Sequence, residues 1–234
     1  MATETLRSGV SITFDEYDLK DNNKIPVYQM MNPAVEFYLK DIAPTITKAV
    51  VVGAGIGIYS KILDEAGVET HNIEPNSERF GMLQTNVPNG TNINKAISDT
   101  ASTGTLKWFA SAPSGSKLDT NNGSESASVD VVTLDSLNIS DVDLLVIDVN
   151  GKEYEVLQGA ATTILPNTKV IVHWNTHLSE NLADLKSWIE TQSRTESLLH
   201  WESEDDSITK KNIGSDELPY TTLDVVIDAD ILLE

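Results

Sequence analysis

Apolar runs alternate with amphipathic segments along most of the chain. We predict core strands at KAVVVG (48–53), VETHNIEP (68–75), VDLLVIDVNG (142–151) and TKVIVHWN (168–175). We predict helices at IYSKILDEAG (58–67), NSERFGMLQTNV (76–87), KEYEVLQGAATTIL (152–165) and SENLADLKSWIETQSR (179–194). Strands that alternate with helices are typical of an α/β fold with a mostly parallel sheet and helices on both faces.

The N-terminal segment has a different pattern. Residues 10–30 predict two short strands joined by a turn-rich stretch. NPAVEFYLKDIA (32–43) then predicts a helix, with Asn32 as its N-cap. We therefore expect one globular unit, in which the strands and helix of residues 1–47 pack on a core domain of residues 48–234.

The middle and the end of the chain carry weaker strand signals. TNINKAIS (91–98) and GTLKWFAS (104–111) predict strands. Residues 112–128 contain no aromatic residue and are dominated by Ser, Gly and Asn, so they predict a long loop, either a lid over a binding site or a disordered segment. ESLLHWES (196–203) and TTLDVVIDAD (221–230) are consecutive strand patterns, which predict an antiparallel hairpin at one sheet edge.

The composition favours one domain with a single sizeable core. The chain has 234 residues, 40% of them hydrophobic and none of them cysteine. That length is ordinary for one α/β domain. The lack of cysteine excludes disulfides, thiolate metal sites and cysteine nucleophiles. No stretch resembles a signal peptide or a transmembrane span, so we expect a cytoplasmic protein.

The charge is strongly acidic, at −20 from 36 acidic and 16 basic side chains. Such a surface repels nucleic-acid phosphates and anionic membranes, so neither kind of partner is predicted. An acidic surface is also typical of salty surroundings, where self-repulsion is screened, and this alternative to a merely acidic cytoplasmic protein stays open. The oligomeric state is not predicted.

The most informative stretch is VVVGAGIGIYS (50–60), where an apolar strand ends in glycines at alternate positions. Gly53, Gly55 and Gly57 allow a tight turn and a close approach of the backbone to a ligand. Glu74 ends the next predicted strand, where a carboxylate can accept hydrogen bonds from both hydroxyls of a ribose. Together they predict a nucleotide site.

The glycine spacing separates two classes of nucleotide ligand. A dinucleotide-binding loop reads G-x-G-x-x-G/A, with a small last residue that permits close packing of helix on strand. Ile58 holds that last position here, which weighs against NAD or FAD. G-x-G-x-G is instead the pattern of methyltransferases that bind S-adenosylmethionine (SAM). The plain alternative is a tight strand-to-helix turn followed by a chance acid.

Five segments occur in the order and spacing of the FkbM-type SAM-dependent methyltransferases, and the chain resembles that family over residues 48–175. The segments are VVVGAGIGIYS, IEPNSERFGMLQTNV, NKAISD, VVTLDSL and LLVIDVNGKEYEVLQGA. The resemblance implies a Rossmann-like class I methyltransferase sheet, mostly parallel, with an antiparallel C-terminal hairpin strand. It also implies O-methylation of a hydroxyl on a saccharide or small metabolite, with SAM as the cofactor.

The resemblance also implies which residues hold the cofactor. Gly53, Ala54, Gly55 and Gly57 would line the methionine end of SAM, and Glu74 would hold the ribose. Asp148 would face the sulfonium and amino end of the cofactor. The adenine side would be lined by Pro75, Asn76, Ala96 and Ile97.

Three positions depart from the family pattern. The acid that usually precedes the first glycine by two residues is Val51 here, and the Glu of the Asp-Val-Glu-Gly segment is Asn150. The acid often found at the end of the fifth core strand is His173. These departures favour a rival hypothesis, a non-catalytic scaffold or binding protein with a degenerate methyltransferase fold.

Three residues are candidates for the catalytic role. His173 is the first candidate for a general base, because ligands of open α/β sheets bind at the carboxyl ends of the strands. Asp148 is the alternative base, and Glu153 matches a family acid. The alternative for His173 is a histidine satisfied by its neighbours. His177 lies four residues further on, but no third ligand is obvious, so no metal site is predicted.

Overall fold

A computed structural model describes residues 2–14, 19–20, 25–26, 33–110, 112–175, 181–192, 196–202, 207–212 and 228–233. Within these ranges the strands are β1 (Ala2–Thr5), β2 (Ser11–Phe14), β3 (Leu19–Lys20), β4 (Ile25–Pro26), β5 (Lys48–Val52), β6 (Glu69–Ile73), β7 (Thr91–Ile93), β8 (Ala96–Ile97), β9 (Ser102–Phe109), β10 (Ala112–Leu118), β11 (Glu125–Val132), β12 (Leu144–Ile147), β13 (Lys169–Asn175), β14 (Glu196–Glu202), β15 (Ser207–Asn212) and β16 (Asp228–Leu233). The α-helices are α1 (Pro33–Ile42), α2 (Ile58–Glu65), α3 (Ser77–Asn86), α4 (Glu153–Gln158) and α5 (Leu182–Thr191). None of these described helices combines the length and the hydropathy that crossing a membrane requires.

The main sheet has the strand order β15-β14-β16-β13-β12-β5-β6-β7. The strands from β13 to β7 are all parallel, whereas β16 is antiparallel to both of its neighbours. The chain runs outward from β5 through β6 to β7, then crosses to β12 on the other side of β5. Such a reversal of strand order opens a crevice at the carboxyl ends of the strands, where open α/β sheets bind ligands.

The antiparallel C-terminal strand is confirmed, but its position differs from the predicted edge. β14 pairs with β15 at the edge, and β16 lies between β13 and β14. Leu232 and Leu233 of β16 are fully buried, one in the apolar cluster on each face of the sheet. A strand that is apolar on both faces is stabilised more in the interior of a sheet than at its edge. Residues 221–227 of the predicted strand lie outside the described residues.

Apolar clusters cover both faces of the main sheet. Side chains from α1, α2 and α3 form the cluster on one face, and side chains from α4 and α5 pack in the cluster on the other. β5 contributes to both, because Val51 faces the first cluster while Val50 and Val52 face the second. This burial on two sides explains the unbroken apolar run of β5 and confirms the prediction of helices on both faces.

The N-terminal strands pack on the first cluster, next to the loop that follows β5. Phe14 of β2 is buried there. Asn86 pairs with the backbone of Thr13, accepting from its N–H and donating to its carbonyl at 2.8 Å each. The same amide donates to the carbonyl of Ile56 at 2.7 Å. The division of the chain at residue 48 stays a prediction.

A second sheet corrects the prediction of a loop at residues 112–128. Its strand order is β10-β9-β11-β8, so most of the Ser- and Gly-rich stretch pairs with β9. Residues 125–130 of β11 are all exposed or half-buried. Hydrogen bonds between backbones hold these strands together. Because their side chains face solvent, they need not alternate between apolar and polar residues, which is the pattern by which a strand is predicted. The segment 91–98, which the sequence predicts as one strand, forms two strands, β7 in the main sheet and β8 in the second.

Asp143 joins the beginnings of β5 and β12. Its Oδ2 accepts hydrogen bonds from the Thr47 N–H (2.7 Å), the Thr47 hydroxyl (2.8 Å) and the Lys48 N–H (3.0 Å). The hydrogen bond from the Thr47 backbone is the main cause that lowers the pKa of Asp143 below its ordinary value of 3.8, against the opposing effect of burial. A lowered pKa means that folding is stabilised above the ordinary value, and that this stabilisation is lost as the pH falls through the lowered pKa.

We predict that Asp143→Asn lowers the free energy of unfolding by about 1 kcal/mol at neutral pH, because a charged acceptor becomes neutral at a partly exposed site. The difference from the wild type should shrink as the pH falls below 3.8, because the unfolded state then binds a proton that the folded state, with its lowered pKa, takes up only at lower pH. Urea denaturation from pH 7 to pH 3 measures both effects. Asp41→Asn, at an exposed position of α1, is the control. A difference that persists unchanged at pH 3 would contradict the prediction.

Candidate active site

The loop between β5 and α2 begins at the crevice. Gly53, Gly55 and Gly57 all have positive φ angles, of 79°, 57° and 94°. A Cβ on Gly53 would lie 1.8 Å from the carbonyl oxygen of Asp148, so the ends of β5 and β12 meet through their backbones. A Cβ on Gly57 would lie 2.9 Å from the side chain of Leu83. Gly53 is therefore required by close approach of backbone as well as by conformation, whereas Gly57 is required mainly by its conformation, because a small shift of the Leu83 side chain would make room for a Cβ.

The same loop is attached to the end of β6. The N–H groups of Gly53 and Ala54 both donate to the carbonyl of Ile73, at 3.0 and 2.9 Å. Ala54 is buried in the first cluster. The glycine loop is thus held between β6 and β12, the neighbours of β5 on either side.

Glu74 lies directly against the glycine loop. Its Oε2 accepts a hydrogen bond from the Gly55 N–H, and its Oε1 accepts one from the Asn76 N–H, both at 2.8 Å. The side chain is only 5% exposed. Burial raises the pKa of the Glu74 carboxyl, and the positive charge of Arg79 opposes that effect. The crevice therefore contains a buried carboxylate that accepts backbone hydrogen bonds at the predicted ribose position.

Asn76 connects α3 to the second sheet. As the N-cap of α3 it accepts hydrogen bonds from backbone N–H groups in the first turn of the helix. Its Nδ2 donates to the hydroxyl of Ser116 in β10 at 3.0 Å. The neighbouring Pro75 carbonyl accepts from Asn94 Nδ2 at 3.1 Å. The predicted adenine-side residues at 75 and 76 are thus hydrogen-bonded to the side chains of Asn94, which directly follows β7, and of Ser116 in β10.

Asp148 and His173 follow equivalent positions on neighbouring strands. Ile147 pairs with Val172 in parallel register, so the next residues along β12 and β13 are Asp148 and His173. Both positions are half-buried. The residues two positions earlier on each strand belong to the first cluster, which predicts the same face for Asp148 and His173. The register therefore gives the two candidate bases equivalent positions on neighbouring strands, near the carboxyl end of the sheet.

The turn after Asp148 is held by buried polar contacts. Asn150 and Gly151 have φ angles of 57° and 119°, and Asn is among the few residues that adopt the left-handed region readily. Glu153 is 1% exposed, and its Oε1 accepts from the Gly151 N–H at 2.8 Å. Asn150 Nδ2 donates to the carbonyl of Ser116 at 3.2 Å. Glu153 is therefore a buried anchor of this turn.

Ala96 and Ile97 are buried in β8, at 6% and 4% exposure. The carbonyl of the following Ser98 closely approaches α4, since a Cβ on Gly159 would lie 2.1 Å from it. Asn94, two residues before β8, donates to the carbonyl of Glu74 at 2.8 Å. The predicted adenine-side residues at 96 and 97 thus lie in a segment that is hydrogen-bonded to the end of β6.

Sequence reasoning missed the part played by Ser116. Its hydroxyl and carbonyl accept hydrogen bonds from Asn76 and Asn150, which follow β6 and β12 on the two sides of β5. We call Asn76, Ser116 and Asn150 the polar bridge. Ser116 had no local signal, because it lies in the stretch that the composition predicts as a loop.

Sequence reasoning also missed Arg79. This residue of α3 is 6% exposed. A Cβ on Gly55 would lie 3.3 Å from its Nη2. The only signal in the sequence was its position, five residues after Glu74 at the start of a predicted helix, where the side chain points toward the preceding strand end.

Comparisons with known proteins address the family and the fold of the chain. A family model described as the methyltransferase FkbM domain matches residues 52–205, which is well over half of the chain. No curated protein sequence matches the chain.

Two solved structures share the fold. One is the methyltransferase FkbM from Methylobacillus flagellatus KT, with a TM-score of 0.51 and 17% identity over 94% of this chain. The other is a SAM-dependent methyltransferase from Agrobacterium tumefaciens, with a TM-score of 0.52 and 10% identity over 99% of this chain. The matches cover 56% and 69% of those two proteins, so this chain spans little more than half of the first. The fold is the class I methyltransferase fold that the sequence predicts.

Proposed function

The chain belongs to the FkbM methyltransferase family, and on that premise we propose that it binds SAM and methylates a hydroxyl of a saccharide or other small metabolite. The observation that carries the proposal is the hydrogen bond of 2.8 Å from the Gly55 N–H to the Glu74 carboxylate. It joins the two predicted halves of the site, the glycine loop and the ribose acid, in one buried contact. A tight turn followed by a chance acid would need no such contact.

The residues present fit SAM. Each oxygen of Glu74 accepts one backbone N–H, and a carboxylate oxygen has a second acceptor direction that suits a ribose hydroxyl. Asp148 supplies a carboxylate at the end of β12 for the amino end of the cofactor. It takes over from the usual family acid, whose position in β5 holds Val51, buried in the apolar cluster. The proposed contacts otherwise are Gly53, Ala54, Gly55, Gly57, Pro75, Asn76, Ala96 and Ile97.

Bound SAM supplies a methyl group that its sulfonium already activates, so the chain has mainly to hold and align the reactants. The glycine loop and Glu74 hold the nucleoside part of the ligand. The polar bridge connects the hairpin of β9 and β10 to the ends of β6 and β12. The acceptor then approaches from the β13 side of this edge.

A hydroxyl acceptor is a weak nucleophile, and it benefits from a base that removes its proton. We assign this role to His173, which is half-buried in β13 at the position equivalent to Asp148. Asp148 is the alternative base. Glu153 already accepts the Gly151 N–H and is almost fully buried. We therefore propose that Glu153 acts by positioning the turn that carries Asn150.

Two departures from the family pattern favour a second candidate function, that of a non-catalytic binding or scaffold protein. Asn150 stands where the family has a Glu, and its amide is engaged with the Ser116 carbonyl. Val51 likewise stands where the family has an acid, and it is 1% exposed. A scaffold would keep the packing of the glycine loop without binding an adenosyl ligand.

Thermal unfolding with excess SAM, S-adenosylhomocysteine or NAD tests the proposal. A ligand at about 100 times its Kd stabilises the folded state by about 2.7 kcal/mol. We expect both adenosyl ligands to raise the Tm and NAD to leave it unchanged. A chain that responds to none of them in either low or high salt would favour the scaffold.

Transfer of a labelled methyl group to a panel of saccharides and small alcohols tests the catalytic part. His173→Gln is expected to lower kcat by about 100-fold, the usual contribution of a general base, and to leave S-adenosylhomocysteine binding unchanged. His71→Gln is the matched control, because His71 pairs with the exposed Glu69 on β6. Full activity of the His173→Gln variant would mean that His173 is not the base and would favour Asp148 instead.

A further inference from the structure

Arg79 places a buried positive charge on the glycine loop. A Cβ on Gly55 would meet three atoms of the guanidinium group, Nη2 at 3.3 Å, Nε at 3.6 Å and Cζ at 3.9 Å. The group therefore lies against the bare side of Gly55. Its side chain leaves α3 and is 6% exposed. Because Gly55 has no side chain, the loop and the guanidinium group can approach this closely.

Three charged groups are in electrostatic reach of one another at this point. The pKa of Glu74 is raised first by its burial, is lowered by Arg79, and is raised further by the negative charge of Asp148. Glu74 already accepts hydrogen bonds from two backbone N–H groups. A guanidinium group has five N–H donors in a planar fork and can contact more than one anion at once, so a ligand carboxylate can join the partners that Arg79 already has.

Three groups of SAM are suited to these side chains. The ribose hydroxyls are donors for Glu74, and the ammonium of the methionine part is a partner for Asp148. The methionine carboxylate is the one anionic group of SAM, and a guanidinium group binds a carboxylate well through two parallel hydrogen bonds. A chain with a net charge of −20 would otherwise repel that carboxylate.

We propose that Arg79 binds the carboxylate of the amino-acid part of the cofactor and so determines specificity for adenosyl amino acids. This inference rests on the proposed function. It gives the methionine carboxylate a partner, Arg79 of α3, that the sequence motifs do not provide.

Titration calorimetry with two ligands tests the inference. S-adenosylhomocysteine carries the carboxylate, whereas 5′-methylthioadenosine has the same nucleoside and thioether without the amino-acid part. We expect Arg79→Gln to weaken binding of S-adenosylhomocysteine by about 10- to 100-fold, as for loss of a charge-assisted hydrogen-bond pair. Binding of 5′-methylthioadenosine should be unchanged, and Arg79→Lys should restore part of the lost affinity.

Controls separate this role from a structural one. Lys186→Gln removes a positive charge from an ion pair on α5, far along the chain from the loop, and should change neither affinity. Thermal melts and circular dichroism check that each variant is folded. If Arg79→Gln weakens both ligands equally, Arg79 only supports Glu74 and the inference is wrong. Tighter binding of S-adenosylhomocysteine by Arg79→Gln would also overturn it. A wild-type chain that binds neither ligand would refute the proposed function itself.

Discussion

Gly53→Ala is expected to destabilise the fold by about 4 kcal/mol or more and to abolish binding of S-adenosylhomocysteine. The added Cβ would lie 1.8 Å from the carbonyl oxygen of Asp148. The Cβ is bonded directly to the backbone at the end of β5, and the oxygen belongs to the backbone at the end of β12. Neither atom can move without separating the two strands. The positive φ of 79° adds strain of its own. Urea denaturation gives the stability, and calorimetry of the folded fraction gives the affinity.

Gly67→Ala separates the two causes. Gly67 has a similar φ of 86°, but nothing lies within 4 Å of the Cβ that it would gain. Strain alone should then cost about 1–2 kcal/mol. Ligand binding should be unchanged, because Gly67 lies beyond the far end of α2. Equal losses of stability in the two variants would show that strain, and not the contact with Asp148, governs Gly53.

Glu74→Gln is expected to weaken S-adenosylhomocysteine binding by about 100-fold, because two ribose hydroxyls lose a charged acceptor. The amide would also point its NH₂ group at the N–H of Gly55 or Asn76, where the wild type has an acceptor for each. Burial raises the pKa of the wild-type carboxyl, so neutralising it also removes a desolvation cost. We therefore expect a modest loss of stability, about 1–2 kcal/mol, beside a large loss of affinity.

Glu69→Gln on the same strand is the matched control. Glu69 lies at the opposite end of β6, where it pairs with His71 and Lys48 at the surface. Its substitution should leave the affinity for S-adenosylhomocysteine unchanged. If Glu74→Gln binds as tightly as the wild type, Glu74 has a purely structural role and the scaffold hypothesis gains support.

Local signals were sufficient for the framework of the site. The run KAVVVG predicted β5 because an interior strand is apolar on both faces, and the glycines predicted a tight turn. Asn76 caps α3 through backbone groups within the next turn, so this contact is local as well. All of these depend on residues close together in sequence.

Contacts between distant segments decided the rest of the site. Ser116 accepts hydrogen bonds from Asn76 and Asn150, which lie 40 and 34 positions away in the sequence. It lies in β10, in a stretch whose composition predicts a loop. Arg79 lies against the glycine loop because a glycine in that loop leaves room for its guanidinium group. No periodicity or spacing records such an approach.

The sequence by itself thus determined the order of the core strands and of the helices packed on them, the parallel core and the glycine loop with its acid. Those features follow from burial and backbone conformation, which each residue's own side chain largely sets. Only the tertiary structure decided that 112–128 forms strands, that β16 lies inside the sheet and that Arg79 and Ser116 reach the crevice. Each of these depends on which partner lies opposite, because a strand or a polar side chain is stabilised by what it pairs with.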